Sequence, residues 1–296
     1  MKNTSYCILA SLLFLYSCGD FEEQSPENTT TTEEEVFNPE SKISLDVGHT
    51  IFSIPSPVQI ALDLEDSDEP FTGELLHDPE AYETYNSDFS KSLMLGIYGT
   101  DLAYCSVYGR TAEAMQYFGA MKKMSDELNA SYAIDESLLK RFSENIDNKD
   151  SLLTLASEAY QQIDAYLKEN DNHDIAALVL AGGWMESMYF QSQGLKIDTS
   201  YNRQQKIAQH KYTVQHFIDL LDKVGTSDDY WELKEMFVDI KSLYNDIPSS
   251  YEFVKPETNV AKKRTLIKSS SSFQTNLEIS NQIADEFINL RNFYTE

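Results

Sequence analysis

Between Pro79 and Pro248 the chain contains no proline. At the ordinary usage of about 5%, a stretch of that length would hold several. Proline lacks an amide hydrogen and clashes with the carbonyl four residues back, so helix interiors exclude it. Its absence over more than half of the sequence favours long helices. The apolar spacing points the same way. Leu152, Leu155, Ala156, Ala159, Tyr160, Ile163, Tyr166 and Leu167 recur at the three- and four-residue steps of one helix face. Phe273, Leu277, Ile283, Phe287 and Leu290 follow a similar pattern near the end. The spacing predicts eight main helices, at about 88–109, 110–129, 135–146, 150–170, 172–194, 202–224, 229–246 and 271–293. Asp150 is the expected N-cap of the fourth. Ser56-Pro57 and Asp78-Pro79-Glu80 read as short helix starts with proline in the first turn. Residues 42–54 alternate weakly and are expected to be extended. Residues 248–269, with Pro248, Pro256 and Lys262-Lys263-Arg264, read as a long loop. The expected fold is all-α, either a multi-helix bundle or a short α-solenoid of antiparallel helices.

The N-terminus reads as an address. Met1 and Lys2 lead into the apolar run Ile8-Leu9-Ala10-Ser11-Leu12-Leu13-Phe14-Leu15, too short for a membrane span of roughly 20 residues. Leu15-Tyr16-Ser17-Cys18 then resembles a bacterial lipobox, which implies cleavage before Cys18 and acylation of its thiol, with palmitate among the chains. Cys7 falls in the signal, so Cys105 is left as a single thiol without an internal partner. Asp20, Glu22, Glu23, Glu27, Glu33, Glu34, Glu35 and Glu40 follow, with no Lys or Arg before Lys42. The expected organisation is a signal peptide at 1–17, a lipidated Cys18 and acidic tether at 18–41, an N-terminal strap with short helices at 42–87, and a helical domain at 88–296. The acidic stretch also resembles surface-export signals of Bacteroidota lipoproteins. Both periplasmic and surface-exposed placement at the outer membrane stay open.

The helices expected from 88 and from 172 are apolar nearly all round, as buried central helices are. They align at an offset of 85: Leu93, Leu95, Asp101, Tyr104 and Gly109 fall opposite Leu178, Leu180, Glu186, Tyr189 and Gly194. Two pseudo-repeated four-helix units, 88–170 and 172–293, would explain this, as would chance likeness between amphipathic helices. Ile54-Pro55-Ser56-Pro57-Val58, the run from Leu95 to Tyr104, and Ala181-Gly182-Gly183-Trp184-Met185-Glu186 resemble a family of Bacteroidota envelope lipoproteins with an all-helical domain. The resemblance implies envelope location and fold, and brings no activity or site residues with it.

Two carboxylates stand out chemically. Asp101 and Glu186 sit inside the most apolar helices, where an unpaired charge costs several kcal/mol. Each needs a partner, a water or a shifted pKa. Tyr98, Tyr104 and Tyr189 lie about one turn away, with Trp184 on the second helix. Gly99, Gly182 and Gly183 would let the helices approach closely. These residues define a candidate ligand pocket; the competing reading is a buried network paired with Arg110 or another cation. His49, His77, His173, His210 and His216 show no metal-ligand spacing, so neither a metal nor a cofactor is expected. The acidic run at 63–69 lacks the order and glycine of a calcium loop. With 49 acidic against 23 basic residues the net charge is −26, which disfavours nucleic acid. Three functions follow. The first is a non-enzymatic envelope lipoprotein that binds a protein or small molecule. The second is an enzyme using Asp101 and Glu186 as an acid–base pair. The third is a structural subunit of an envelope complex.

Overall fold

The computed structural model describes residues 43–47, 50–54, 70–130, 134, 136–145, 148–225, 227–259, 264–266 and 268–296. The signal, lipidation and tether assignments, the Ser56-Pro57 start and the acidic run at 63–69 lie outside the described residues. Nine α-helices are described: α1 (Asp88–Val107), α2 (Thr111–Glu127), α3 (Glu136–Glu144), α4 (Lys149–Glu169), α5 (His173–Ile197), α6 (Tyr201–Ala208), α7 (Lys211–Val224), α8 (Asp228–Tyr244) and α9 (Leu277–Thr295). The fold is an all-α bundle. It is not a solenoid, in which each helix would touch only its neighbours in sequence. Here α9 returns to pack along α5 in the centre of the molecule.

α1 and α5 form that centre and share the most extensive helix contact. Every residue from Ser92 to Val107 is buried, as is every residue from Ala176 to Ser192. Two glycines set their separation. A Cβ on Gly96 would meet the Val179 carbonyl oxygen at 2.0 Å, and one on Gly182 would meet the Leu93 carbonyl oxygen at 2.0 Å. The helices therefore touch backbone to backbone. Thr100 Oγ1 crosses the contact to donate to the Gly183 carbonyl at 2.9 Å. Of the glycines expected to allow this approach, Gly182 does so; its counterpart on α1 is Gly96.

The helix ends follow local chemistry. Ser87 and Ser90 form a capping box at the start of α1, each side chain accepting from the other's amide. α4 is capped by Asn148, whose Oδ1 accepts from the Ser151 amide at 3.1 Å. This corrects the expectation of Asp150, which lies inside the first turn. α1, α2 and α4 end alike. Gly109, Asn129 and Asp171 adopt positive φ, and the next amide reaches back to the carbonyl five residues earlier.

Two stretches depart from the sequence reading. The helix expected at 202–224 breaks at Gln209 and His210. His210 turns inward to bond Trp184, and the Ile207 carbonyl freed by the break accepts from the Tyr244 hydroxyl at 2.8 Å. The loop expected at 248–269 is a β-arm. β3 (Ser249–Glu252) pairs antiparallel with β6 (Ser270–Phe273), and β4 (Glu257–Asn259) with β5 (Arg264–Leu266). Serine-rich strands carry little apolar periodicity, so the pattern was silent there, and α9 starts at Leu277 rather than near 271. β1 (Ile43–Val47) and β2 (Thr50–Ile54) form an antiparallel hairpin, extended as anticipated. The segment that crosses the central helices is 70–85, with 3-10 turns at Gly73–Leu75 and Pro79–Thr84. Asp78 caps the second turn by accepting from the Glu80 amide. Among the described residues no helix is long and apolar enough to cross a membrane.

The glycine contact predicts a sharp positional effect. Gly96→Ala or Gly182→Ala forces two backbones apart and should lower stability by about 2–3 kcal/mol, the upper part of the overpacking range. Gly119→Ala, on α2 with nothing within 4 Å of the added carbon, should stabilise by about 0.5–1 kcal/mol. Thermal and urea unfolding of the three variants would compare them directly.

Candidate functional site

The close approach of α1 and α5 brings Asp101 and Glu186 together, both with 0% exposure. Their cation comes from α9. Arg291 Nε donates to Glu186 Oε2 at 3.0 Å, and its Nη2 donates to Oε1 at 3.2 Å. This two-pronged geometry suits a planar guanidinium and a carboxylate. Nη2 also reaches the Leu75 carbonyl at 3.3 Å, and Nη1 the Thr295 hydroxyl at 3.1 Å. The guanidinium lies 4.5 Å from the centre of the Tyr189 ring. Arg110, the cation considered from sequence, instead pairs with Glu113 at the surface and covers Phe71.

Asp101 bonds to Glu186 through its side chain, and its Oδ2 accepts from the His77 amide at 3.3 Å. No protein N–H or hydroxyl donates to its Oδ1. Burial, and next the negative charge of Glu186, raise the Asp101 pKa well above the usual carboxylate range. Burial also raises that of Glu186, while Arg291 pulls it back. Arg291 bonds both oxygens of Glu186, which favours the anion on Glu186 and leaves the proton on Asp101, whose pKa is raised the further. Three buried ionisable groups thus carry no net charge.

Residues 70–85 close the network from above through backbone bonds. Tyr117 donates to the His77 carbonyl at 2.7 Å, and Tyr98 to the Asp78 carbonyl at 2.9 Å. The Thr72 amide donates to the Tyr104 hydroxyl at 3.1 Å. The His77 ring stacks on Tyr98 at 5.7 Å, and its Nε2 lies 2.8 Å from the Tyr85 hydroxyl. Burial, reinforced by Arg291, pushes His77 down to about 4, so it is neutral at pH 7.

Of the six residues chosen from sequence, Asp101, Glu186 and Tyr189 meet in one network. Tyr98 and Tyr104 hold the strap over it. Trp184 does not belong. Two positions before Glu186, it points to the opposite side of α5. There it packs on Phe217, Phe237 and Phe287 and donates to His210 Nδ1 at 3.2 Å. Accepting at Nδ1 leaves the His210 ring proton on Nε2, which lies 3.4 Å from the Gln191 amide nitrogen while Gln191 Oε1 has no partner. Exchanging the amide's nitrogen and oxygen supplies the acceptor this tautomer needs. Burial pushes His210 down to about 4.

Sequence reasoning missed Arg291 and His77. Arg291 was visible in principle: it continues the apolar stripe of Ile283 and Phe287 at four-residue steps, where a surface arginine would not stand. His77 acts through its backbone, which leaves no residue-type signal. Cys105 is buried and reduced, and burial raises its pKa. A polar depression of about 290 Å³ between α3 and α4 is lined by Arg141, Asn145, Asn148, Asp150, Ser151 and Thr154, and shares no residue with the carboxylate network. Among the described residues no three His, Cys, Asp or Glu side chains gather where they could hold a metal ion. No protein-family model, curated protein or solved structure matches the chain.

The network makes the two carboxylates unequal. Asparagine reproduces a protonated aspartic acid without the cost of binding a proton on folding, so Asp101→Asn should be at least as stable as wild type at pH 7. Glu186→Gln strands the buried guanidinium and should cost about 3–5 kcal/mol. Chemical denaturation of both variants at pH 7 measures the difference.

The pH response has a definite sign. His77 and His210 are depressed from 6.5 to about 4, so their contribution is complete above pH 6.5 and is lost as pH falls toward 4. Asp101 acts oppositely: its raised pKa stabilises at low pH, and that contribution is lost as pH rises through the folded value. Compared with wild type, melting temperatures between pH 4 and 7 should fall less steeply toward acid in His77→Gln and more steeply in Asp101→Asn. Asp101→Asn should flatten the alkaline side.

Proposed function

We propose that the protein is a non-enzymatic lipoprotein of the bacterial envelope, anchored at the outer membrane through Cys18, whose helical domain binds a protein or small-molecule ligand. The lipobox-like Leu15-Tyr16-Ser17-Cys18 after a short apolar run supports the anchor. Acyl chains contribute about 0.8 kcal/mol for each buried methylene, so several hold a soluble domain at a bilayer. The observation that carries the binding reading is the fate of Asp101 and Glu186. General acid–base work needs groups that reach a substrate. These two are fully buried, hydrogen-bonded to each other and neutralised by Arg291, under a strap fixed by Tyr98, Tyr104 and Tyr117. Their chemistry is spent on the fold, which leaves the molecular surface as the working part.

The anchor is tested by labelling cells with radioactive palmitate. The wild-type chain should incorporate label and sediment with membranes, and Cys18→Ser should lose both properties. Label retained in Cys18→Ser would overturn the anchor. Capture from detergent-solubilised envelopes should return the same partner with wild type and with Asp101→Asn, because that variant keeps the surface intact.

A further inference from the structure

The β-arm between α8 and α9 carries charge of the opposite sign to the rest of the chain. Residues 249–273 contain five of the 23 basic residues and only two of the 49 acidic ones. Its base is fixed. Phe273 is buried beside Tyr212, Gln205 Nε2 donates to the Phe273 carbonyl at 2.9 Å, and the Tyr212 and Ser249 hydroxyls bond at 2.8 Å. Beyond the base the arm is exposed: all of β3, Ser270 to Ser272 of β6, and Thr265 and Leu266 of β5.

The exposed side chains are a specific mixture. Tyr251, Phe253 and Leu266 are 65%, 69% and 50% exposed. Lys255 is exposed close by, Lys268 pairs with Glu257 at 2.7 Å, and the sequence adds Lys262, Lys263 and Arg264. Aromatic rings beside ammonium groups suit the boundary of a bilayer, where rings sit among headgroups and cations meet phosphates. Pro256 and the lysines blunt the strand edges against pairing with another strand. We propose that this arm is a membrane-contact element that seats on anionic phospholipid headgroups, a second attachment besides the acyl anchor. Its biological placement rests on the envelope reading above; its chemistry does not.

The test uses the full-length chain carrying Cys18→Ser, which cannot be acylated, so the result is independent of the anchor. Sedimentation with vesicles of phosphatidylglycerol and phosphatidylcholine is compared with phosphatidylcholine alone. Binding should favour the anionic vesicles and weaken with salt. Adding Tyr251→Ser, Phe253→Ser, Lys255→Glu and Lys268→Glu together should weaken it at least about tenfold, with an unchanged melting temperature. The two lysine substitutions alone should weaken the preference for anionic lipid. Equal binding by parent and arm variants, or no binding by the parent, overturns the proposal. So does an arm-dependent dimer in solution without vesicle binding, which would assign the arm to a second copy of the chain. Absence of palmitate label on the wild-type chain in the separate anchor experiment bears on the envelope reading and leaves this result standing.

Discussion

The pairing of Arg291 with Glu186 joins three helices and the strap at one point. Glu186 lies on α5, its acid partner Asp101 on α1, and the guanidinium on α9 also holds the Leu75 carbonyl. Without the cation, two acids would face each other in a medium that solvates neither. With it, the helices that approach most closely carry a neutral polar centre between apolar walls. Such a centre constrains register more than it adds stability, because a guanidinium and a carboxylate meet two-pronged in only one alignment. Apolar side chains tolerate sliding by a turn; this trio does not.

The strap depends on the same centre. Residues 70–85 are rich in turns, and their apolar side chains Phe71, Leu75, Leu76, Tyr82 and Tyr85 pack on the core only half-buried. Their backbone adds the polar partners. The His77 amide goes to Asp101, the His77 carbonyl takes Tyr117, the Asp78 carbonyl takes Tyr98 and the Leu75 carbonyl takes Arg291. Tyrosine suits this position because its ring packs with the core while its hydroxyl reaches a polar edge.

Periodicity exposed the helices well because their burial is one-sided or complete, and both patterns are written in residue type. The centrality of α1 and α5, and the oddity of Asp101 and Glu186 within them, could be read directly. Other features escaped for physical reasons. The Gln209–His210 break follows from one inward histidine, and no breaker residue marks it. The β-arm has serines on both faces, so alternation had nothing to alternate. Trp184 was grouped with the carboxylates by nearness in sequence, although two residues along a helix is just over half a turn. Arg291 lay far from the residues it completes, and only three-dimensional closure brings it to them.

That separation has a temporal side. Glu186 and its cation are 105 residues apart, and a chain is synthesised from its N-terminus. As it emerges, α1 and α5 are both present long before α9. Closing them early would entomb two acids with no counterion, so their native pairing is penalised until the last helix arrives. The centre therefore gains its counterion only once α9 has packed along α5.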